Sequence, residues 1–246
     1  MAVWRRGSSD KPSSSAHTPI PGAFGIVALI GAAFVTASPQ LAHAGDWEVI
    51  ARQEGITVSR RPVEGRSFPQ LRAIGEVPGT PYEVLAILLD VRAHVDWRPD
   101  CVESRLVQRI DTWQSIVYTV TGAPWPVADR EVVVRNEVVF IDPPSKLKVT
   151  FAALAAPDVK HRRGTVRMKT ATGFFAIEAI DDRHSLVHYE VDADPGGSLP
   201  KWVISAQSTK NPLETLAGLR RRLEETRGQY AAQIARLPQA PPEAGR

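Results

Sequence analysis

Few of the side chains able to do covalent or acid–base chemistry sit in a pattern that would let them cooperate. Cys101 is the single cysteine, and no Cys/His partnership surrounds it. His94, His161, His184 and His188 are scattered, without metal-ligand spacing, and there is no G-x-S-x-G elbow to expose a serine nucleophile. His188 falls on the strand face opposite Val187 and Tyr189, a usual setting for a structural histidine. The more informative residues are Tyr118 and Asn136, each a polar tip on an apolar strand face. A buried polar tip needs a partner: a ligand hydroxyl or headgroup would serve, and so would a buried water or a neighbouring strand. Arg130 shares parity with Asn136 but begins its strand, so pairing with Asp129 or Asp96 is expected ahead of ligand contact. No catalytic set, metal site or cofactor is expected, and the remaining chemistry is the binding of something apolar.

The elements that must position these residues are mostly strands. Residues 47–51, 56–61 and 68–77 alternate, with the turn QEG between the first two. TPYEVLAILLDV then opens a helix, with Thr80 as N-cap, Pro81 at the first helical position and Glu83 completing a capping box. HVDWRPD reads as a short helix or loop ending at Pro99. Strands follow at 102–110, 113–121, 130–141, 146–153, 165–170 joined with 174–180, and 185–193, separated by IDT, IDPPS and IDDRH. Short turns between consecutive strands imply an antiparallel meander of about nine strands, wet on one face and dry on the other. The dry face needs a cover, and residues 200–234 are the long helical stretch available. Leu213, Leu216, Leu219 and Leu223 form its apolar stripe, and Asn211-Pro212 predicts a kink or restart. DPGGSLPKW joins sheet to helix: Asp194 ends the strand, Pro195 stops the ladder, Gly196 and Gly197 allow unusual backbone angles, and Pro200 starts the helix.

Composition bounds the rest. The 246 residues carry 43% hydrophobic and 23% charged side chains and a formal charge of +3, as expected of one globular domain. Removing residues 1–44 leaves 27 basic against 26 acidic residues, so no nucleic acid partner is implied. Residues 1–44 resemble an export signal: Arg5 and Arg6, the apolar run AFGIVALIGAAFV, and the triplet Ala42-His43-Ala44. Cleavage after Ala44 and a periplasmic mature chain are expected, an uncleaved N-terminal anchor being the alternative. Residues 45–234 form the domain and 235–246 read as a disordered tail. A single cysteine allows no internal disulfide, so the core alone must hold the fold.

DPGGSLPKW before a terminal helix, APWPVADRE between two strands and VDWRPDCVESR after the first helix resemble the START (steroidogenic-acute-regulatory-related lipid-transfer) domain, within the Bet v 1-like superfamily. The resemblance runs from Trp47 to Tyr230. It implies an α+β helix-grip fold, a curved antiparallel β-sheet of about nine strands wrapped around a long C-terminal α-helix, enclosing a tunnel for one lipid. Periodicity alone does not separate a tunnel from a packed core. If there is a tunnel, inward parity selects Ile116, Tyr118 and Val120, then Val132, Val134 and Asn136. It continues with Val149, Phe151, Val166 and Met168, and with Phe175, Ile177, Val187, Tyr189 and Val191. Trp202, Leu213 and Leu216 close it from the helix. The family likeness makes Pro124, Trp125, Pro126 and Val127 a gate at the tunnel mouth, with Trp125 suited to a membrane interface; the alternative is that Trp125 plugs the core beneath the loop. The resulting expectation is a monomeric, non-catalytic carrier or sensor of a sterol-like lipid or phospholipid, with transient membrane contact. A helix-grip enzyme of the cyclase or hydrolase kind is the alternative.

Overall fold

A computed structural model describes residues 46–238. The expected export signal and most of the expected tail lie outside the described residues. Three strands, β1 (Glu48–Gln53), β2 (Ile56–Arg61) and β3 (Gln70–Pro78), precede α1 (Pro81–Leu89), a single 3₁₀ turn and the short α2 (His94–Trp97). Then come β4 (Cys101–Arg109), β5 (Gln114–Thr121), β6 (Asp129–Asp142), β7 (Lys146–Ala153), β8 (Thr165–Arg167), β9 (Thr170–Ala179) and β10 (His184–Asp194). The chain closes with α3 (Lys201–Glu225) and the one-turn α4 (Ala231–Ile234).

The strands form one sheet in the order β1-β2-β3-β10-β9-β7-β6-β5-β4. The expected meander has ten strands rather than nine, because the region 165–180 divides. β8 leaves the antiparallel path and pairs parallel with the start of β6, and β9 pairs with β7 and β10. Helix α1 starts as its sequence requires: the Thr80 hydroxyl accepts from the Glu83 amide at 3.3 Å, and a Glu83 carboxylate oxygen accepts from the Thr80 amide at 2.8 Å.

Helix α3 differs from expectation in one respect. It runs unbroken from Lys201 to Glu225 with Pro212 inside it. Proline removes one intrahelical donor and ordinarily breaks or kinks a helix. Here Pro212 and its neighbours Thr215 and Leu216 are buried against the rest of the fold, and tertiary packing holds the helix through the defect. Gly218 sets how closely α3 approaches: a Cβ there would lie 2.0 Å from the Trp97 carbonyl oxygen, so no larger residue fits without moving the helix away from α2.

The concave face of the sheet is filled unevenly. Toward one end Val58, Ala73, Val77, Leu147, Ile177 and Val187 form a closed core with α1 and with Leu216, Leu219 and Leu223 of α3. Tyr230, Ile234 and Leu237 pack against the same cluster, so the chain is still packed at 237, beyond the start expected for a tail at 235. Toward the other end the sheet and the N-terminal half of α3 stand apart.

Candidate functional site

The gap between them is a cavity of about 240 Å³. From β6 it takes Val132, Val134 and Asn136, and from β7 Val149 and Phe151. Met168, Phe175, Tyr189 and Val191 continue the wall; Phe175 and Tyr189 stack with ring centroids 4.5 Å apart. All nine were among the residues selected by parity.

The other nine lie elsewhere, for three different reasons. On β5 the parity is inverted. Cross-strand register pairs Val117 with Val134 and Thr119 with Val132, so Val117, Thr119 and Thr121 face the cavity. Ile116, Tyr118 and Val120 point to the convex face, where Leu154, Ala156 and Val159 cover them. Ile177, Val187, Leu213 and Leu216 have the expected side but the wrong height, and belong to the closed core. Trp202 is 55% exposed, on the outer side of α3, and Val166 packs near Gly196. The helix instead presents Val203, Gln207, Asn211 and Thr215 to the cavity, one residue per turn. Their mixed polarity, above an all-leucine stripe, is the sequence signal that distinguishes this half of α3 from the packed half.

Tyr118 finds its partner across the sheet. Its hydroxyl donates to Glu131 Oε2 at 2.6 Å, while Arg167 Nε and the Arg162 amide also donate to this carboxylate, at 2.7 and 3.0 Å. Glu131 is fully buried. Burial acts to raise its pKa, but the hydrogen bonds from Tyr118, Arg162 and Arg167 outweigh it and hold the group at about 2. Burial and the same Glu131 contact push Tyr118 up to about 12. This network fastens the 154–167 segment to the convex face and does not reach the cavity.

Arg130 does line the cavity, yet its guanidinium is spent on backbone. It donates to the carbonyls of Pro195 and Gly196, both at 3.2 Å, and to that of Ala128. The expected ion pairs are replaced: Asp129 acts on Arg130 through charge and accepts from the Ala123 amide at 3.0 Å, and Asp96 pairs with Arg222 at 3.6 Å. The reason lies in the DPGG junction. Gly196 and Gly197 take φ of +66° and +67°, while Asp194 Oδ1 caps the Gly196 amide at 2.9 Å. The resulting turn aims two carbonyls at β6, and a guanidinium fork can satisfy both. Arg130 thereby ties the loop that ends at Ala128 to the hinge before α3.

Those two segments form the rim. Gly122, Ala123 and Pro124 line the cavity on one side, and Pro195, Leu199 and Val203 on the other. Trp125, beside Pro124, is 90% exposed, which excludes the reading that it plugs the core. Pro126 and Val127 complete the loop, closed by a Val127 amide to Pro124 carbonyl bond of 2.9 Å. Asp100 anchors its base: its carbonyl accepts from Gly122, and its carboxylate accepts from Lys210 of α3 at 2.9 Å.

Sequence reasoning missed the residues delivered by α2 and the turn that leads from it into β4. His94, Arg98, Pro99 and Cys101 all line the cavity. His94 is 4% exposed; its Nε2–H donates to the Leu88 carbonyl at 3.0 Å and its Nδ1 faces the Ser104 hydroxyl at 3.4 Å. Burial, then the positive charge of Arg98, lowers its pKa to about 3, so it stays neutral. Burial also pushes the Cys101 thiol up, against a reactive thiolate. Two neutral groups and an arginine make poor general acids or bases, but they can orient a guest.

The family model described as START domain matches residues 36–227. A crystal structure of a STAR-related lipid transfer protein from Xanthomonas axonopodis matches with a TM-score of 0.65 and 30% identity, covering 72% of this chain and 98% of that one. Human STARD10 matches with a TM-score of 0.67 at 17% identity over 78% of each chain, a likeness of fold. The mouse phosphatidylcholine transfer protein is 26% identical over 164 residues, 65% of this chain and 75% of that protein.

Proposed function

The chain belongs to the START domain family, and on that premise we propose that it carries one lipid molecule at a time in the cavity between the sheet and α3. The supporting observation is the unfilled space itself: about 240 Å³ bounded by Val132, Val134, Val149, Phe151 and Phe175 between the sheet and α3, beside the packed cluster of Leu147, Ile177, Val187 and Leu216. An apolar wall of this kind gains about 0.8 kcal/mol for each methylene it removes from water. Roughly ten methylenes then offset much of the cost of immobilising a guest. No covalent step is needed, and His94, neutral and hydrogen-bonded within the wall, does not offer one. Exit runs past the 122–128 loop, whose exposed Trp125 suits a bilayer interface. The export-like residues 1–44 support delivery to the periplasm, where a lipid crossing water between two membranes needs a cover.

The test is direct. The chain is purified from a lipid-rich bacterial host, extracted with organic solvent and analysed by mass spectrometry, and its transfer of lipids between vesicles is followed in parallel. A lipid present at about one per protein together with vesicle-to-vesicle transfer is the expected result. Protein free of lipid that also transfers none of a panel of phospholipids, fatty acids and sterols would sink the carrier reading.

A further inference from the structure

The charges in the cavity wall are all of one sign. Arg98 and Arg130 line it, and among the described residues no aspartate or glutamate does. The two arginines are not equivalent. Arg130 donates to three backbone carbonyls and is 8% exposed, so its hydrogen-bonding capacity is largely taken. Arg98 has no such set. Its guanidinium lies over the Trp97 ring at 5.9 Å and toward the Tyr189 hydroxyl. No carboxylate of the described residues comes within ion-pair distance of it. The two acids nearest in sequence are committed elsewhere: Asp96 to Arg222 at 3.6 Å, and Asp100 to Lys210 at 2.9 Å.

A guanidinium stays charged at any physiological pH, and a charge turned toward an apolar cavity is costly unless it is paired. Its neighbours cannot neutralise it. His94 is uncharged with its Nε2–H engaged by Leu88, and burial raises the pKa values of both Cys101 and Tyr189, so neither supplies an anion. A second source of positive potential sits at the rim. Helix α3 begins there without a side-chain cap and without an acidic residue in its first turn, and Leu199 and Val203 on either side of that start line the cavity.

Resting on the carrier reading above, we infer that the cavity selects amphiphiles with a net negative head, a carboxylate or a phosphate, and that Arg98 is the charge partner of that head. The planar guanidinium fork matches either oxyanion with two parallel N–H···O bonds. The Tyr189 hydroxyl beside it and the Asn211 amide on the facing helix add neutral donors, whereas the Gln207 amide already donates to Asp100 at 3.4 Å. A quaternary ammonium needs no carboxylate, since an aromatic face can hold it. Here, however, it would enter a wall whose charged side chains, Arg98 and Arg130, are both positive, so phosphatidylcholine-type lipids gain less there than acidic ones of the same chain.

Four ligands with one oleoyl chain separate the possibilities: oleate, oleoyl-lysophosphatidate, oleoyl-lysophosphatidylcholine and uncharged monoolein. Affinities are measured on the delipidated full chain by displacement of a fluorescent fatty amide at about pH 8, where the carboxylate is ionised. At least one of the two acidic ligands is expected to bind about tenfold tighter than monoolein and lysophosphatidylcholine, and whichever does so identifies the head as carboxylate or phosphate. Arg98→Gln is expected to erase that preference, weakening the favoured acidic ligand about tenfold more than monoolein, and Arg98→Lys to retain part of it. The inference is overturned if monoolein or lysophosphatidylcholine binds as tightly as both acids. It is equally overturned if Arg98→Gln weakens all four ligands alike or keeps the acidic preference. Should Arg98→Gln fail to fold, the ranking on the unmodified chain and its loss of acidic preference in high salt decide. Binding of none of the four overturns the charge inference and, where the solvent extract and the transfer panel are also negative, the carrier reading with it, whereas monoolein binding without acidic preference removes the charge inference alone.

Discussion

His94 shows what a single side chain costs when it is buried neutral. Its pKa is about 3 in the folded protein against the usual 6.5. As pH falls below 6.5 the unfolded chain takes up a proton that the folded chain refuses, so stability decreases from there down to about pH 3, by up to about 1.4 kcal/mol per pH unit. Glu131 acts in a lower window, its stabilisation present above 4.5 and lost as pH drops toward 2. Replacing His94 by Gln is therefore expected to flatten the fall of the urea midpoint between about pH 6.5 and 5 and to leave the steeper acid limb in place. An unchanged slope in the upper window would mean that His94 is protonated in the native state. At this scale the sequence marked Tyr118 correctly as needing a partner, but the partner is Glu131 on the adjacent strand. The residues that do face the cavity with chemistry to offer, Arg98 and His94, were legible only as parts of a short segment after the first helix.

Among the elements, the 122–128 loop and α3 share the rim of the cavity, joined through Arg130, and in the proposed carrier they would control entry and exit. The loop is held at both ends, at Gly122 by the Asp100 carbonyl and at Ala128 by the Arg130 guanidinium, while Trp125 at its tip touches little of the protein. Truncating an exposed side chain of this kind changes stability by less than about 0.5 kcal/mol. Trp125→Ala is thus expected to leave the melting temperature nearly unmoved and to slow lipid exchange with vesicles several-fold. A large drop in melting temperature, or exchange at the unmodified rate, removes the loop from the transfer step. The helix was legible in its lower half, where Leu216, Leu219 and Leu223 repeat at core spacing. Its upper half was misjudged because the cavity stripe, Val203, Gln207, Asn211 and Thr215, is too polar for a hydrophobic pattern to select.

Over the whole molecule, the dominant feature is a sheet whose concave face is packed at one end and open at the other. A cavity that binds a guest stabilises the folded state by mass action, about 2.7 kcal/mol at a hundredfold excess over Kd. Val132→Trp fills the open end from the sheet side. The prediction is a folded variant whose melting temperature no longer rises when lipid is added, with lipid absent from its solvent extract. A normal thermal shift in that variant places the guest elsewhere on the protein.

Sequence alone determined the element order, the capping box of α1, the DPGG hinge, the family likeness and the face of β6 that looks inward. These are local matters: alternation, turn chemistry and helix signals act over a few residues, and β6 turns Val132 and Val134 inward by its own period of two. Tertiary structure decided the rest. On β5 both faces are covered, one by the cavity and one by the 154–159 segment, so an alternating pattern has no wet side to declare its orientation, and the register with β6 sets it instead. Likewise Val187 and Tyr189 share a strand face, and what makes one core and the other cavity wall is how far α1 and the leucines of α3 extend beneath them. The isolation of Arg98 from every described carboxylate is a distance in space, set by where Lys210 and Arg222 of α3 draw Asp100 and Asp96, and no spacing along the chain encodes it.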